Sequence, residues 1–380
     1  MDFSPSGEQR ELIDLAARLT RQLAPNPRVS WAEAAEFPWD FAQALAAHDL
    51  TGIDLPAEKG GQGLTLLDAM LVLESVSSNH PHVGDAVQAT NFGAVRQIAA
   101  FARDELVDEV LRPILAGRAL ATIAMSEPGA GSFVSDLLTR ATVDGDNVVI
   151  NGSKVFNSNG PNATHYVVWA RFGDGKDQVG AVVVPATAEG FSRGATERFI
   201  SGETHCTLSF EDCRVPRHNV LLESNALRRM LSVFNIERLG NATRSLGLGE
   251  LAFRLAAAHL VARQTPHGRL ADLQGLRWKL ADIRIRLDSA RLLLYRAASE
   301  LRDGMPDALS TSLAKCAANE AGFFAATEAL QMFGGYGMTT EMPLDYIFKR
   351  TRGWMIAGGS VEIQRNRIAS EILRRFEAGG

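Results

Sequence analysis

The sequence is poor in cysteine, in unbroken apolar runs and in clustered basic charge. Its three cysteines, Cys206, Cys213 and Cys316, show no CxxC spacing. That argues against a disulfide framework or a zinc site and makes a reducing cytoplasm the expected compartment. The eight histidines form no HExxH pair, and His80 and His82 read as loop residues rather than ligands, so no metal is expected. No stretch approaches the roughly 18 consecutive apolar residues of a membrane span. The opening MDFSPSGEQRELIDLAARLT lacks the charged start and apolar core of a secretory signal, and Asp2, Glu8 and Glu11 argue against a transit peptide. Net charge is −5 and no Lys/Arg block stands out, so neither nucleic-acid binding nor membrane insertion is expected.

What is present is a chain of 380 residues, 46% apolar and 22% charged, long enough for two or three domains and a large core. Three zones divide it. Residues 1–118 read as helices: Leu12, Leu15, Ala16 and Leu19, then Leu66, Met70, Leu73 and Val76, recur at helical spacing, with a loop at Pro56 and Gly60 to Gly63 between them. Residues 119–225 carry short β-branched runs (HYVVWARF, GAVVVPA, CTLSFEDCRVP) punctuated by Asp-Gly and Asn-Gly turns, the pattern of an antiparallel sandwich or barrel. Residues 226–380 turn helical again. Ile283, Leu287, Ala290, Leu294, Ala297 and Leu301 form the stripe of a bundle helix, which Gly304-Met305-Pro306 ends before another helix from Leu309 to Phe333. The fold class is mainly α with a β middle domain.

Three glycine-marked segments carry the chemical signal. In Met125-Ser126-Glu127-Pro128-Gly129-Ala130-Gly131-Ser132, small residues leave backbone N–H groups and two hydroxyls open to a ligand, or make an ordinary tight turn. In Lys154-Val155-Phe156-Asn157-Ser158-Asn159-Gly160, an aromatic ring stands two residues from a hydroxyl. Gln331-Met332-Phe333-Gly334-Gly335-Tyr336-Gly337 ends a helix on three glycines where a C-cap needs one. The pattern Gly247-Leu248-Gly249-Glu250-Leu251-Ala252 fits a dinucleotide fingerprint, but no strand precedes it, so small residues at helix contacts explain it.

Taken in order, these segments resemble the acyl-CoA dehydrogenase family: SEPGAGS is similar to its TEPGAGS loop and NGSKVFNSNG to NGxKxWITNG. FEDCRVPRHNVL, QMFGGYG and GGSVEIQR match later segments of the family in register. The resemblance implies an N-terminal helical domain, an antiparallel β domain and a C-terminal four-helix bundle. It also implies FAD as cofactor, an acyl-CoA or acyl carrier protein thioester as substrate, electron-transfer flavoprotein as acceptor, and a homotetramer. By matching position, Ile123, Met125, Ser126, Gly131, Ser132, Phe156 and Ser158 would face the flavin, where Ser360 and Glu362 also fall. Arg263, Gln274, Gln331, Gly334 and Gly335 would hold the adenosine end of a subunit-related FAD. Ser132, Asn235, Arg238 and Gly359 would meet substrate. Phe156 replaces the family's usual Trp, and the phenylalanine of the family's RxxFG is missing after Arg263.

The departure that matters most is Gly358, at the position where many relatives keep their catalytic glutamate. Asn235-Ile236-Glu237-Arg238-Leu239 resembles the segment in which the long-chain and isovaleryl branches carry that base on a bundle helix. The resemblance therefore implies Glu237 as base, Arg238 as its orienting or CoA-side neighbour, and the Gly358 backbone N–H as a donor to the thioester oxygen. An ordinary glutamate, with a pKa near 4.3, is a weak match for a thioester α-proton. Burial of the base and donors aimed at the enolate oxygen both narrow that gap. The expected reaction is oxidation of the Cα–Cβ bond. The Ile356-Ala357-Gly358-Gly359 segment also resembles 3-sulfinopropionyl-CoA desulfinases, which eliminate a leaving group without net oxidation. A non-catalytic binding protein of the same fold is a third reading.

Overall fold

The computed structural model describes residues 4–175, 178–223 and 226–377. The expected zone boundary at 225 lies outside the described residues. The principal helices are α1 (Gly7–Leu23), α2 (Leu66–Asn79), α3 (Gly84–Asn91), α4 (Ala94–Phe101), α5 (Leu227–Ala262), α6 (Gln274–Ser299), α7 (Ala308–Phe333), α8 (Leu344–Trp354) and α9 (Val361–Glu377). The sheet strands are β1 (Ala121–Ala124), β2 (Arg140–Asp144), β3 (Asn147–Ser158), β4 (His165–Arg171), β5 (Val179–Pro185), β6 (Phe191–Arg198), β7 (Thr204–Pro216) and β8 (Val220–Leu222). Contacts divide the chain into two compact units that cut across the three sequence zones. A sheet unit comprises Ser30–Thr65 and Asp85–Glu237; a helical unit comprises Met1–Val29, Leu66–Gly84 and Arg238–Gly380.

In the sheet unit the strands lie in the order β6-β7-β3-β2-β4-β5-β8, with β1 beside β4. Most pairs are antiparallel, as expected, but β1 runs parallel to β4, and β2 meets β4 in parallel at Arg140 and Arg171. The strands of the expected antiparallel sandwich or barrel join in one mixed, eight-stranded sheet. Strands β4 and β5 (HYVVWAR, VGAVVVP) are buried nearly end to end, which explains why they lack polar alternation: both faces are covered. Strand β6 (FSRGATER) is polar and exposed along its length, which suits an edge strand that must not recruit another chain. Trp169 on β4 is fully buried; its Nε1 donates to Gln97 Oε1 at 3.0 Å and its ring meets the edge of Phe234 at 6.3 Å. This contact pins the first turns of α5 to the sheet, and truncating such a tryptophan costs about 3–5 kcal/mol.

In the helical unit, Ser6 and Gln9 close a reciprocal capping box at the start of α1, and Asp307 caps α7 by accepting from Leu309 N and Ser310 N. The expected stripe on α6 is buried at Ile283, Leu287, Ala290, Leu294 and Ala297, whereas Leu301 lies beyond the helix and is exposed. The Gly247 and Gly249 pair lies inside α5 with no preceding strand. A Cβ on Gly249 would sit 2.9 Å from Gly322 Cα, and one on Gly247 would sit 2.6 Å from Ser77 Cβ. Close helix approach accounts for both glycines, and no dinucleotide fingerprint exists there. Helix α5 is also long and apolar enough by length and composition to cross a membrane, but half of that window is buried within the protein, as in a helix packed inside a fold.

Candidate active site

The sheet unit gathers the first group of expected residues at one end of β1 and β3. Ile123 lies on β1, and the chain leaves that strand after Ala124 into Met125 and Ser126. Met125 O accepts from Lys154 Nζ at 3.1 Å and Ser126 O from Val155 N at 2.9 Å, so this loop is stitched to the segment that carries Phe156. Beyond it, Glu127 accepts from Thr139 N at 2.9 Å and Lys154 Nζ at 2.8 Å, and also from Leu138 N. Burial alone would raise the Glu127 carboxyl, but the attraction and hydrogen bond of Lys154, with those from Thr139 and Leu138, hold it below the usual carboxylate range. Burial pushes Lys154 the other way, down to about 8, despite Glu127. This pair is the scaffold of the loop. Gly129 and Gly131 have open space where a Cβ would stand, and Ser132 is exposed.

Phe156 has φ +57°, a left-handed conformation that bulky residues rarely adopt, and its ring is 61% exposed. A bulge in β3 between Lys154 and Asn157 produces this, turning the ring out of the strand's alternation. The ring meets Phe199 edge-on at 6.1 Å, and Phe199 stacks on His205 at 3.6 Å. Burial pushes the His205 imidazole down to about 4, against a hydrogen bond with the Phe156 backbone that pulls it up. His205 is therefore neutral at ordinary pH. Ser158 is exposed two residues beyond Phe156.

Glu237 closes the same unit on α5 and is half-buried. Gln88 on α3, only 7% exposed, donates Nε2 to Glu237 Oε2 at 2.7 Å. Gly93 leaves room beside the carboxylate, since a Cβ there would stand 3.7 Å from Oε2. Asn235 is 2% exposed. It stands two positions before Glu237, about 200° around the helix, so the two side chains leave different faces.

In the helical unit, Arg238 does something the sequence did not announce: its Nε donates to Gly358 O at 3.0 Å. Gly358 and Gly359 have φ +71° and +88°, so both sit in the left-handed region where a side chain is strained. Ser360 Oγ accepts from Ile363 N at 3.4 Å at the start of α9, and Glu362, in the first turn, is exposed. A hydrogen bond from Ser360 holds the Glu362 carboxyl low. Two further arginines sit under this region. Arg244 and Arg350 lie over the Trp354 ring at 4.4 and 4.9 Å, and burial lowers each guanidinium to about 9.

Arg263, Gln331, Gly334 and Gly335 come together in one cavity of about 650 Å³, also lined by His259 and Tyr336. Gln274 is not among its lining residues, although Leu270 and Leu276 on either side of it are. His259 stacks on Phe333 at 4.1 Å, a flat platform that the sequence gave no sign of. The three glycines separate by cause. Gly334 caps α7 at φ +60°; a Cβ on Gly337 would lie 2.5 Å from Leu330 O; Gly335 has open space and no positive φ. Gly335 thus leaves its backbone open to a ligand. An arginine, an exposed glycine turn and a ring platform suit a pyrophosphate with a heteroaromatic base. An exposed left-handed aromatic beside small-residue loops suits a flat ring system. On these observations the residues fit FAD.

The family models for the acyl-CoA dehydrogenase N-terminal, middle and C-terminal domains match residues 6–118, 122–213 and 227–373. A 3-sulfinopropanoyl-CoA desulfinase of Advenella mimigardefordensis is 30% identical over 96% of this chain and 94% of its own length. The mitochondrial short-chain specific acyl-CoA dehydrogenase of Homo sapiens is 31% identical over 97% of this chain and 88% of its own. Butyryl-CoA dehydrogenase from Megasphaera elsdenii superposes with a TM-score of 0.91 at 27% identity, covering 98% of this chain and all of that one. Complexes with FAD and FADH2 are among the solved structures of this fold, at 22% identity. Three domain matches in register, with the loop, bulge and glycine geometry above, lead to one assignment: the chain belongs to the acyl-CoA dehydrogenase family.

Proposed function

We propose that this protein is an FAD-dependent acyl-CoA dehydrogenase that forms a trans-2-enoyl thioester, with Glu237 as the base. The observation that carries this is the half-buried Glu237 carboxylate, held by the neutral amide of Gln88 at 2.7 Å with the empty side of Gly93 beside it. Bound FAD supplies the acceptor for the hydride that leaves Cβ. Ser126, Ser132, Phe156 and Ser158 hold its ring system; Arg263, Gln331, Gly334 and Gly335 hold the adenosine end of a subunit-related copy. Glu237 takes the α-proton, and general bases of this kind contribute about 10²- to 10⁴-fold. The Gly358 N–H donates to the thioester oxygen, and Arg238 braces the peptide that follows through the Gly358 carbonyl.

An exposed apolar stripe on α6, Trp278, Ile285 and Leu292 at seven-residue spacing, supports a homo-oligomer, and a tetramer is the form we propose. Electron-transfer flavoprotein is the proposed acceptor and the cytoplasm the proposed compartment. The deciding experiment is anaerobic flavin reduction by acyl-CoAs of varied length, branching and charge. Glu237→Gln is expected to retain FAD and lose about 10³-fold in reduction rate; unchanged kinetics would remove Glu237 from the mechanism.

A second reading, elimination without net oxidation from an acyl-CoA with an acidic tail, draws support from the desulfinase relatives and from Arg244. That arginine is buried seven residues beyond Glu237 on the same helix, and so on nearly the same face. Turnover of a β-sulfinate thioester with no electron acceptor, with uptake of water and release of sulfite and the saturated acyl thioester, would establish it.

A further inference from the structure

Resting on Glu237 as the base, we infer that Gln88 is its positioning residue, a neutral amide that aims the carboxylate without locking it as an anion. The two residues are 149 positions apart and belong to different helices of the sheet unit, yet their side chains meet at 2.7 Å. Gln88 is 7% exposed, so its amide is committed to this environment rather than to water. Its Oε1 is buried and has no hydrogen-bond partner among the described residues. That leaves Nε2 as the one end of the side chain with a partner, and it points to the Glu237 carboxylate.

The choice of residue type has a chemical reason. A base that gives and takes a proton needs a partner that tolerates both of its states. A lysine or arginine in this place would favour the charged carboxylate by one to three pKa units and weaken it as a base. An amide donates through its NH₂ to a carboxylate and, rotated by 180°, accepts through its oxygen from a carboxylic acid. The unsatisfied Oε1 is the group that would take up that second role. Arg238, next on the helix, gives its Nε to Gly358 O.

The test uses the holoenzyme and two variants. Gln88→Leu keeps the volume and removes the donor; Gln88→Glu puts a second carboxyl against the first. For Gln88→Leu we expect reduction by a good acyl-CoA to slow about 10-fold with KM little changed. The acid limb of its pH profile should move up by about one unit, because a carboxylate that loses a donor holds its proton more tightly. Gln88→Glu should move the limb further, since two adjacent carboxyls cannot both ionise. The Glu237 carboxyl, observed by ¹³C NMR in glutamate-labelled protein and assigned by its loss in Glu237→Gln, should titrate with the same shift. That readout needs neither substrate nor flavin. A folded Gln88→Leu protein with its acid limb and the NMR titration unmoved would overturn the inference. A full-rate Glu237→Gln enzyme would instead overturn the assignment of the base on which it rests. If Gln88→Leu does not fold, Gln88→Glu alone decides, by the position of its limb.

Discussion

Two carboxylates of the sheet unit, Glu127 and Glu237, show how one residue type is turned to opposite uses. Glu127 is 5% exposed on its side chain, faces the Lys154 ammonium at 2.8 Å and takes two backbone N–H bonds as well. These partners outweigh its burial and favour the anion, so it serves as a joint between the Met125–Ser132 loop and β3. Glu237 is half-buried and is met by an amide, with a glycine keeping one side clear. Lys154 gives Glu127 a charged partner, whereas Gln88 gives Glu237 a donor that carries no charge.

That contrast can be broken in several ways. The largest expected effect is on rate: the loss of about 10³-fold in Glu237→Gln should come with less than about 1 kcal/mol of stability, because the amide keeps the shape of the side chain. Next is stability at the other carboxylate. Lys154→Met leaves a buried anion alone and should cost about 3–5 kcal/mol in chemical denaturation, while the double variant Glu127→Gln/Lys154→Met should recover most of it. If the double variant is no better than the single, the pair is not what holds the loop.

A third prediction concerns His205, which props the left-handed Phe156. Folded His205 titrates near 4 and an unfolded histidine near 6.5, so between those values the unfolded chain binds the extra proton. Its contribution is complete above pH 6.5 and fades as pH falls to 4, a loss of about 3 kcal/mol. His205→Phe should flatten that part of the stability profile; an unchanged acid slope would contradict it. The smallest effect is at Gly358, where φ is +71° but a Cβ would meet only Lys315 Cε at 3.7 Å. Gly358→Ala should cost about 1 kcal/mol from backbone strain alone, seen as a small drop in Tm.

Much of the architecture is written in local pattern. The α6 stripe, the β4 and β5 apolar runs and the glycines closing α7 each report their own neighbourhood, and family motifs in register located the loops. What stayed hidden depends on meetings between distant residues. Glu127 and Lys154 are separate letters in two motifs, and nothing in either announces a buried pair. The bond from Arg238 to the Gly358 carbonyl, 120 residues onward, is equally silent in the sequence. Helical periodicity says that Leu66 to Asn79 is a helix but not which neighbours it joins. The first 118 residues read as one zone, yet their contacts assign Leu66–Gly84 and Ser30–Thr65 to different units. Gln88 has no motif at all.

The left-handed turn at Gly358 and Gly359 bears on where a side chain can be added. With Glu237 as the proposed base, this turn needs no side chain of its own, and glycine enters freely a geometry that other residues enter only at a penalty. A glutamate installed at 358 would have room for its Cβ but would carry that backbone penalty, so the same carboxylate is held at less cost on a regular helix than on this turn.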